Sequence, residues 1–246
     1  MKAKELITAI EAHYPLTLQE EWDHSGLQCG DINQDITKVM IALDCDLRTL
    51  KQAIEAGCDM LVTHHPFLFN DLTLDLSKPT GQFIKLAMTH SIVIYSSHTP
   101  LDFVSMNEWL IHQLPVLDVQ KVGDNEMARS GILEGPYSFD EFIKLVKEAY
   151  HVDTVKVAGY KDFISTVAVC GGSGASFIDD MASFVDAYIT GDLKYHDGQK
   201  AYEQDILLVD IGHHAEVIMV DRLAEELSTL SVDIVKAESE DYYEYY

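Results

Sequence analysis

No run of apolar residues in this chain approaches the length of a bilayer span; the longest are strand-sized. The opening Met1-Lys2-Ala3-Lys4-Glu5 leads into an amphipathic helix and carries no signal-peptide apolar stretch. The expectation is a soluble, cytoplasmic protein with no membrane partner. Cysteine is equally sparse. Cys29, Cys45, Cys58 and Cys170 are scattered, with no Cys-x-x-Cys spacing. That argues against a disulfide framework or a thiolate zinc site, so any metal would be held by nitrogen and oxygen. Basic residues are few, 17 against 41 acidic, for a formal net charge of −24. Such a field repels phosphate backbones, and no basic cluster offsets it, so nucleic acid is not an expected partner. The acidic excess reads as a solvated surface, or as one partly offset by bound cations.

What is present is a core. Hydrophobic residues make up 47% of the 246, enough for one large domain or two small lobes. Leu6, Ile7, Ile10 and His13 fall near helical spacing, and Pro15 ends that first helix. Trp22 to Gly30 reads as a turn entering a short strand; Trp22 is expected in the core, with ligand stacking as the alternative, and Asp23 and His24 read as turn formers. A strand over 36–43 ends at Asp44-Cys45-Asp46, which caps a helix near 47–56 closed by Gly57. A strand over 59–63 delivers His64 and His65. After a loop and a helix near 81–90, a strand over 92–95 delivers His98 and Asp102, and a helix is expected over 105–114. The second half runs helix 139–150, strands near 154–157 and 164–170, helix 175–184, strand 186–190, a short helix, strand 206–209, helix 215–227 and a strand near 232–235. Residues 115–138, with Pro115, Gly123, Gly131, Gly135 and Pro136, read as the connection. The acidic, tyrosine-rich tail from Glu238 reads as frayed or packed on a neighbour.

The two halves match in order and type. Ile36 to Ala42 resembles Ile164 to Cys170, Asp59 to Thr63 resembles Asp186 to Thr190, and Ser91 to Tyr95 resembles Asp205 to Val209. We infer an internal duplication in an α/β protein with mixed, mostly parallel sheets, the first repeat unit covering 1–125 and the second 126–246.

Duplication makes the strand ends comparable. The first half places His64, His65, His98 and Asp102 there; the second places Asp192, His196, Asp210, His213, His214 and Glu216. Neutral imidazoles with carboxylates from several segments suit zinc, iron, manganese or nickel. Adjacent side chains in extended backbone diverge, so His64 and His65 would serve separate ions, with a carboxylate such as Asp102 or Glu216 bridging them. Two ions about 3.5–4 Å apart acidify a shared water and orient a substrate atom, which is hydrolytic chemistry. The plainer alternative is that each histidine is a satisfied core or loop residue. The Gly171-Gly172-Ser173-Gly174 loop reads as an anion cradle or a tight close-packed turn.

Five motifs together resemble the NIF-three-like family, whose bacterial members are often labelled GTP cyclohydrolase 1 type 2 homologues. They are Trp22-Asp23-x-x-Gly26-Leu27, Thr63-His64-His65-Pro66, His98-Thr99-x-Leu101-Asp102, Thr190-Gly191-Asp192-x-x-x-His196 and Asp210-x-Gly212-His213-x-x-Glu216. The resemblance covers nearly the whole chain, although His24 stands where many members have Asn and the large inserted domain of longer members is missing. It implies two intertwined α/β units sharing a dinuclear site with ligands His64, His65, Asp102, His213 and Glu216. It also implies a toroidal homohexamer around an inner cavity. The family label implies attack of metal-activated water on the purine C8 of GTP. The expected function is therefore a metal-dependent hydrolase of a small molecule, a purine nucleotide on that label, with His98 or His196 as catalytic acid/base or supporting residue. A non-catalytic metal-binding scaffold is the competing reading.

Overall fold

The computed structural model describes residues 1–67 and 75–244. The loop expected after Pro66 lies partly outside the described residues. Along the chain run helix α1 (Ala3–His13), strands β1 (Gly26–Cys29) and β2 (Lys38–Ala42), helix α2 (Leu47–Glu55), strand β3 (Met60–Thr63), helix α3 (Pro79–Thr89) and strand β4 (Val93–Ser96). A short helix α4 (Thr99–Leu101), a π-helical turn (Asp102–Met106) and helix α5 (Asn107–Ile111) follow, then strands β5 (Val116–Val122) and β6 (Ala128–Ser138). The rest is helix α6 (Phe139–Ala149), strands β7 (Lys156–Ala158) and β8 (Phe163–Val169), helix α7 (Ile178–Met181), strand β9 (Ala187–Thr190), helix α8 (Tyr195–Glu203), strand β10 (Leu207–Asp210), helix α9 (Ile218–Leu227) and strand β11 (Asp233–Lys236). No helix among the described residues is long and apolar enough to cross a membrane.

The protein is a mixed α/β fold with two sheets. Two compact units divide it: Met1–Val104 with Val217–Glu240, and Ser105–Glu216 with the segment from Asp241. The first holds a five-stranded sheet in the order β1-β4-β3-β2-β11, parallel except where β1 runs against β4. Its central strands β3 and β4 are buried along their whole length, which explains their unbroken apolar runs. Met40, Leu61 and Ile94 of the strands meet Leu50, Ala53, Phe83 and Ala87 of α2 and α3 in one cluster. The Asp46 carboxylate accepts the Thr49 amide at 2.7 Å and caps α2, and Gly57 leaves it at φ +67°. The described part of the tail is tied to α2, where the Gln52 side chain exchanges hydrogen bonds with the Glu238 backbone at 2.9 Å.

The second unit holds six strands in the order β5-β6-β8-β9-β10-β7. Here only β8-β9 and β9-β10 are parallel. Residues 115–138 are more than a connection, because they build the β5–β6 hairpin, which adds antiparallel strands at the sheet edge. The glycines and prolines there fit a strand for local reasons. Pro136 sits where the register shifts between Ile132 and Tyr137, so no ladder hydrogen bond is lost. Gly131 lets β5 pass closely: a Cβ there would lie 3.0 Å from Val116 Cβ.

The duplication is visible in the strand pairing. In both units three successive parallel strands, β2-β3-β4 and β8-β9-β10, are flanked by an antiparallel strand, β1 or β7, that precedes them in the chain. One side-chain staple also recurs. Asp59, just before β3, accepts the Thr37 amide and hydroxyl and the Lys38 amide at 2.7, 2.6 and 3.1 Å. Asp186, just before β9, accepts the Ser165 amide and the Thr166 amide and hydroxyl at 2.9, 3.0 and 3.0 Å.

Candidate metal centre

In the first unit the ends of β3 and β4 bring three histidines together. His64, His65 and His98 can each offer a ring nitrogen, all within 4.8 Å of one another. Each ring is held from behind. The His64 Nδ1–H donates to the Ser97 carbonyl at 3.0 Å, His65 Nδ1–H to Asp44 Oδ1 at 2.8 Å, and His98 Nδ1–H to Asp23 Oδ1 at 2.9 Å. A carbonyl or carboxylate only accepts, so the hydrogen sits on Nδ1 and the neutral ring carries its lone pair on Nε2. Second bonds of this kind orient metal-ligating histidines. Asp102 joins the group with Oδ1 3.4 Å from His64 Nε2. Asp102 opens the π-helical turn, so the helix expected from 105 begins earlier and is locally widened at this residue.

Behind the histidines lie two anchors that sequence reasoning missed. Asp44 is expected in a strand end that caps the next helix, not as the partner of His65. Asp23, read as a turn former, is 4% exposed and accepts five hydrogen bonds, from the His24 amide, Ser25 hydroxyl, His98 ring and both the amide and hydroxyl of Thr99. Burial is the largest single influence on its carboxyl and pushes its pKa up. The bonds from His98, Thr99 and Ser25 outweigh burial and hold it well below the usual carboxylate range. The available signal was the short Asp23-x-Ser25 turn motif facing the partly buried His98.

In the second unit the ends of β9 and β10 bring His213 and Glu216 together. His213 Nδ1–H donates to Asp192 Oδ2 at 2.7 Å, and its Nε2 lies 3.1 Å from Glu216 Oε2. Glu216 is 2% exposed. Asp192 holds φ +55°, the left-handed region that a non-glycine residue enters at a cost. The glycine loop packs against this pair. A Cβ at Gly172, φ +57°, would stand 2.7 Å from Glu216 Oε1 and 3.3 Å from His213 Nε2. The loop is thus a close-packed turn against a carboxylate. Asn107 fixes it from behind by accepting the Gly171 amide at 2.7 Å.

Other named residues lie apart from these groups. His196 is exposed on the first turn of α8 and faces Gln199 Oε1 at 3.3 Å. Asp210 is occupied structurally: it pairs with Lys156 at 2.9 Å and accepts the Gly212 amide at 3.0 Å. Burial pushes the Cys29 and Cys58 thiols up to about 11 and Cys45 higher still, and among the described residues no cysteine belongs to the candidate ligand groups.

The two carboxylates are counterparts. Ser96 pairs with Thr63 across β4–β3, and Asp210 pairs with Thr190 across β10–β9. Asp102 and Glu216 each lie six residues beyond those strand residues. The imidazoles are not counterparts: where the first repeat has His64 and His65, the second has Gly191 and Asp192. The donor set of three anchored imidazoles with Asp102, and one anchored imidazole with Glu216, fits divalent transition metals.

The chain matches the family model described as Duf34/NIF3 (NGG1p interacting factor 3) over residues 1–241. It is 36% identical over 246 residues to the "GTP cyclohydrolase 1 type 2 homolog" of Streptococcus pneumoniae, covering 95% of this chain and 92% of that protein. Among solved structures, reduced HcgD from Methanocaldococcus jannaschii is 33% identical with a TM-score of 0.86, covering 96% of this chain and 97% of that one. A Bacillus cereus protein related to NIF3 is 21% identical with a TM-score of 0.91, covering 100% and 99% of the respective chains, a likeness of fold alone.

Proposed function

This chain belongs to the Duf34/NIF3 family, and from that premise we propose that it is a dinuclear metal-binding hydrolase of a small molecule. His64, His65, Asp102, His213 and Glu216 would hold two divalent ions of zinc, iron, manganese or nickel. The observation that carries the reading is the convergence of His64, His65 and His98 within 4.8 Å, each ring with its Nδ1 tied back. Core histidines serving only as packing have no reason to converge in this way. Bound ions would acidify a water and orient a substrate atom. The protein's own part is to keep each imidazole in one tautomer and to fix Asp102 and Glu216 as acceptors. Of the two histidines proposed for proton transfer, His98 is the better placed, since Asp23 holds its ring beside the ligand group; His196 would serve from α8. The relative's name suggests a purine nucleotide as substrate. The homohexameric, cytoplasmic working form is part of the proposal and rests on the family resemblance.

The test is a substrate screen on metal-reconstituted protein, with GTP included, beside Asp102→Ala. Hydrolysis that is lost in Asp102→Ala supports the reading. Equal hydrolysis by both proteins means that this site is not responsible.

A further inference from the structure

Trp22 is expected in the core, yet its side chain is 58% exposed. Its ring stands 5.5 Å from the His98 ring at 78°, so the two are nearly perpendicular and the indole keeps more than half its surface open. The turn that carries it is not loose. The Asp23 amide donates to the Glu20 carbonyl at 3.0 Å, and the Glu20 amide to the Thr99 hydroxyl at 3.0 Å. The next residue, Asp23, is the buried acceptor of five bonds, one of them from His98 itself. An exposed indole is thus fixed to the same carboxylate that orients a histidine of the ligand group.

We propose that Trp22 is a stacking platform for a planar nitrogen heterocycle of the nucleobase kind, held with one edge toward His98. The proposal rests on the metal-centre reading for what happens to that ring and adds the residue that holds it. A rigid exposed indole binds flat π-systems with little ordering cost, whatever their edge pattern. The surrounding charge says what is recognised. Trp22 is flanked by Glu20, Glu21 and Asp23, and no Lys or Arg occurs between Lys4 and Lys38. This segment therefore grips the ring and offers nothing to a phosphate. A nucleoside and its base satisfy the platform; a sugar phosphate without a base does not.

The experiment uses the full chain carrying Trp109→Phe, so that Trp22 is the only emitting indole of the two tryptophans. Guanosine, adenosine and ribose 5-phosphate are titrated against the metal-loaded and the metal-stripped protein. Both nucleosides are expected to quench Trp22 in both forms, and ribose 5-phosphate to leave it unchanged. In the wild-type background, calorimetric affinity for guanosine should fall about tenfold or more in Trp22→Ala and by much less in Trp22→Phe. Metal content by elemental analysis should match wild type in both variants, which separates this claim from the centre itself. If wild type holds no metal, the centre fails while the Trp22 comparison on the stripped chain still decides. Equal guanosine affinity in Trp22→Ala, or no quenching by either nucleoside at millimolar concentration, overturns the proposal. So does emission that follows protein concentration and ignores nucleosides, because a second copy would then cover the indole.

Discussion

His65 Nδ1 lies 2.8 Å from Asp44 Oδ1, and the Asp44 backbone carbonyl is itself held by the Thr49 hydroxyl at 2.9 Å. The carboxylate that orients a candidate ligand is therefore braced by the first turn of α2. Replacing it with an amide lets the acceptor become a donor and frees the ring to flip its tautomer. Asp44→Asn should weaken metal binding about 10- to 100-fold without unfolding the protein, measured by chelator competition alongside circular dichroism. Unchanged affinity would mean that the pair is structural only.

Asp23 carries more of the fold than of the chemistry. Asp23→Ala leaves the Ser25 and Thr99 hydroxyls and the Thr99 amide around a small cavity. A loss of about 2 kcal/mol or more in unfolding free energy is expected from urea titration. A change within a few tenths of that scale would show that water replaces the carboxylate at no cost.

The Asp59 staple predicts an acid limb. Burial raises its pKa most, but the Thr37 hydroxyl, the Thr37 and Lys38 amides and the Lys38 charge together hold it below the usual carboxylate value. A folded-state pKa below the unfolded one means that the unfolded chain binds more protons in between. The stabilisation is complete above the ordinary carboxylate pKa of about 4 and is lost as pH falls through the depressed folded value. Asp59→Asn should cost about 1 kcal/mol at neutral pH and lose less on acidification below about pH 4 than wild type does. Parallel acid limbs in the two proteins would contradict this.

Gly172 is a steric test of the second unit. At φ +57°, with a would-be Cβ 2.7 Å from Glu216 Oε1, alanine strains the backbone and displaces the carboxylate. Gly172→Ala should cost about 1–2 kcal/mol and reduce metal retention on dialysis. Full retention would show that Glu216 tolerates displacement or is not a ligand.

The parallel triples of strands and the duplication were legible, because strands buried on both faces write continuous apolar runs and the two halves write them at similar spacing. The hairpin at 116–138 was not. Its glycines and prolines mark a register shift and a close approach, and in sequence these look the same as a linker. His64, His65, His98 and Asp102 were legible as polar groups stranded at strand ends. Their anchors were not, since Asp44 and Asp23 lie 21 and 75 residues from the rings they hold. Only strand pairing brings them close. Trp22 is expected in the core because an indole usually hides, yet it is exposed and the residue beside it, Asp23, takes the buried position instead.

The most direct test is the metal itself. Protein purified without added metal, then reconstituted and desalted, is submitted to elemental analysis beside Asp102→Ala and Glu216→Ala. The account predicts about two divalent transition-metal ions per wild-type chain and a clear loss in each variant. No near-stoichiometric metal in the wild type after reconstitution, or the same content in all three proteins, would contradict it.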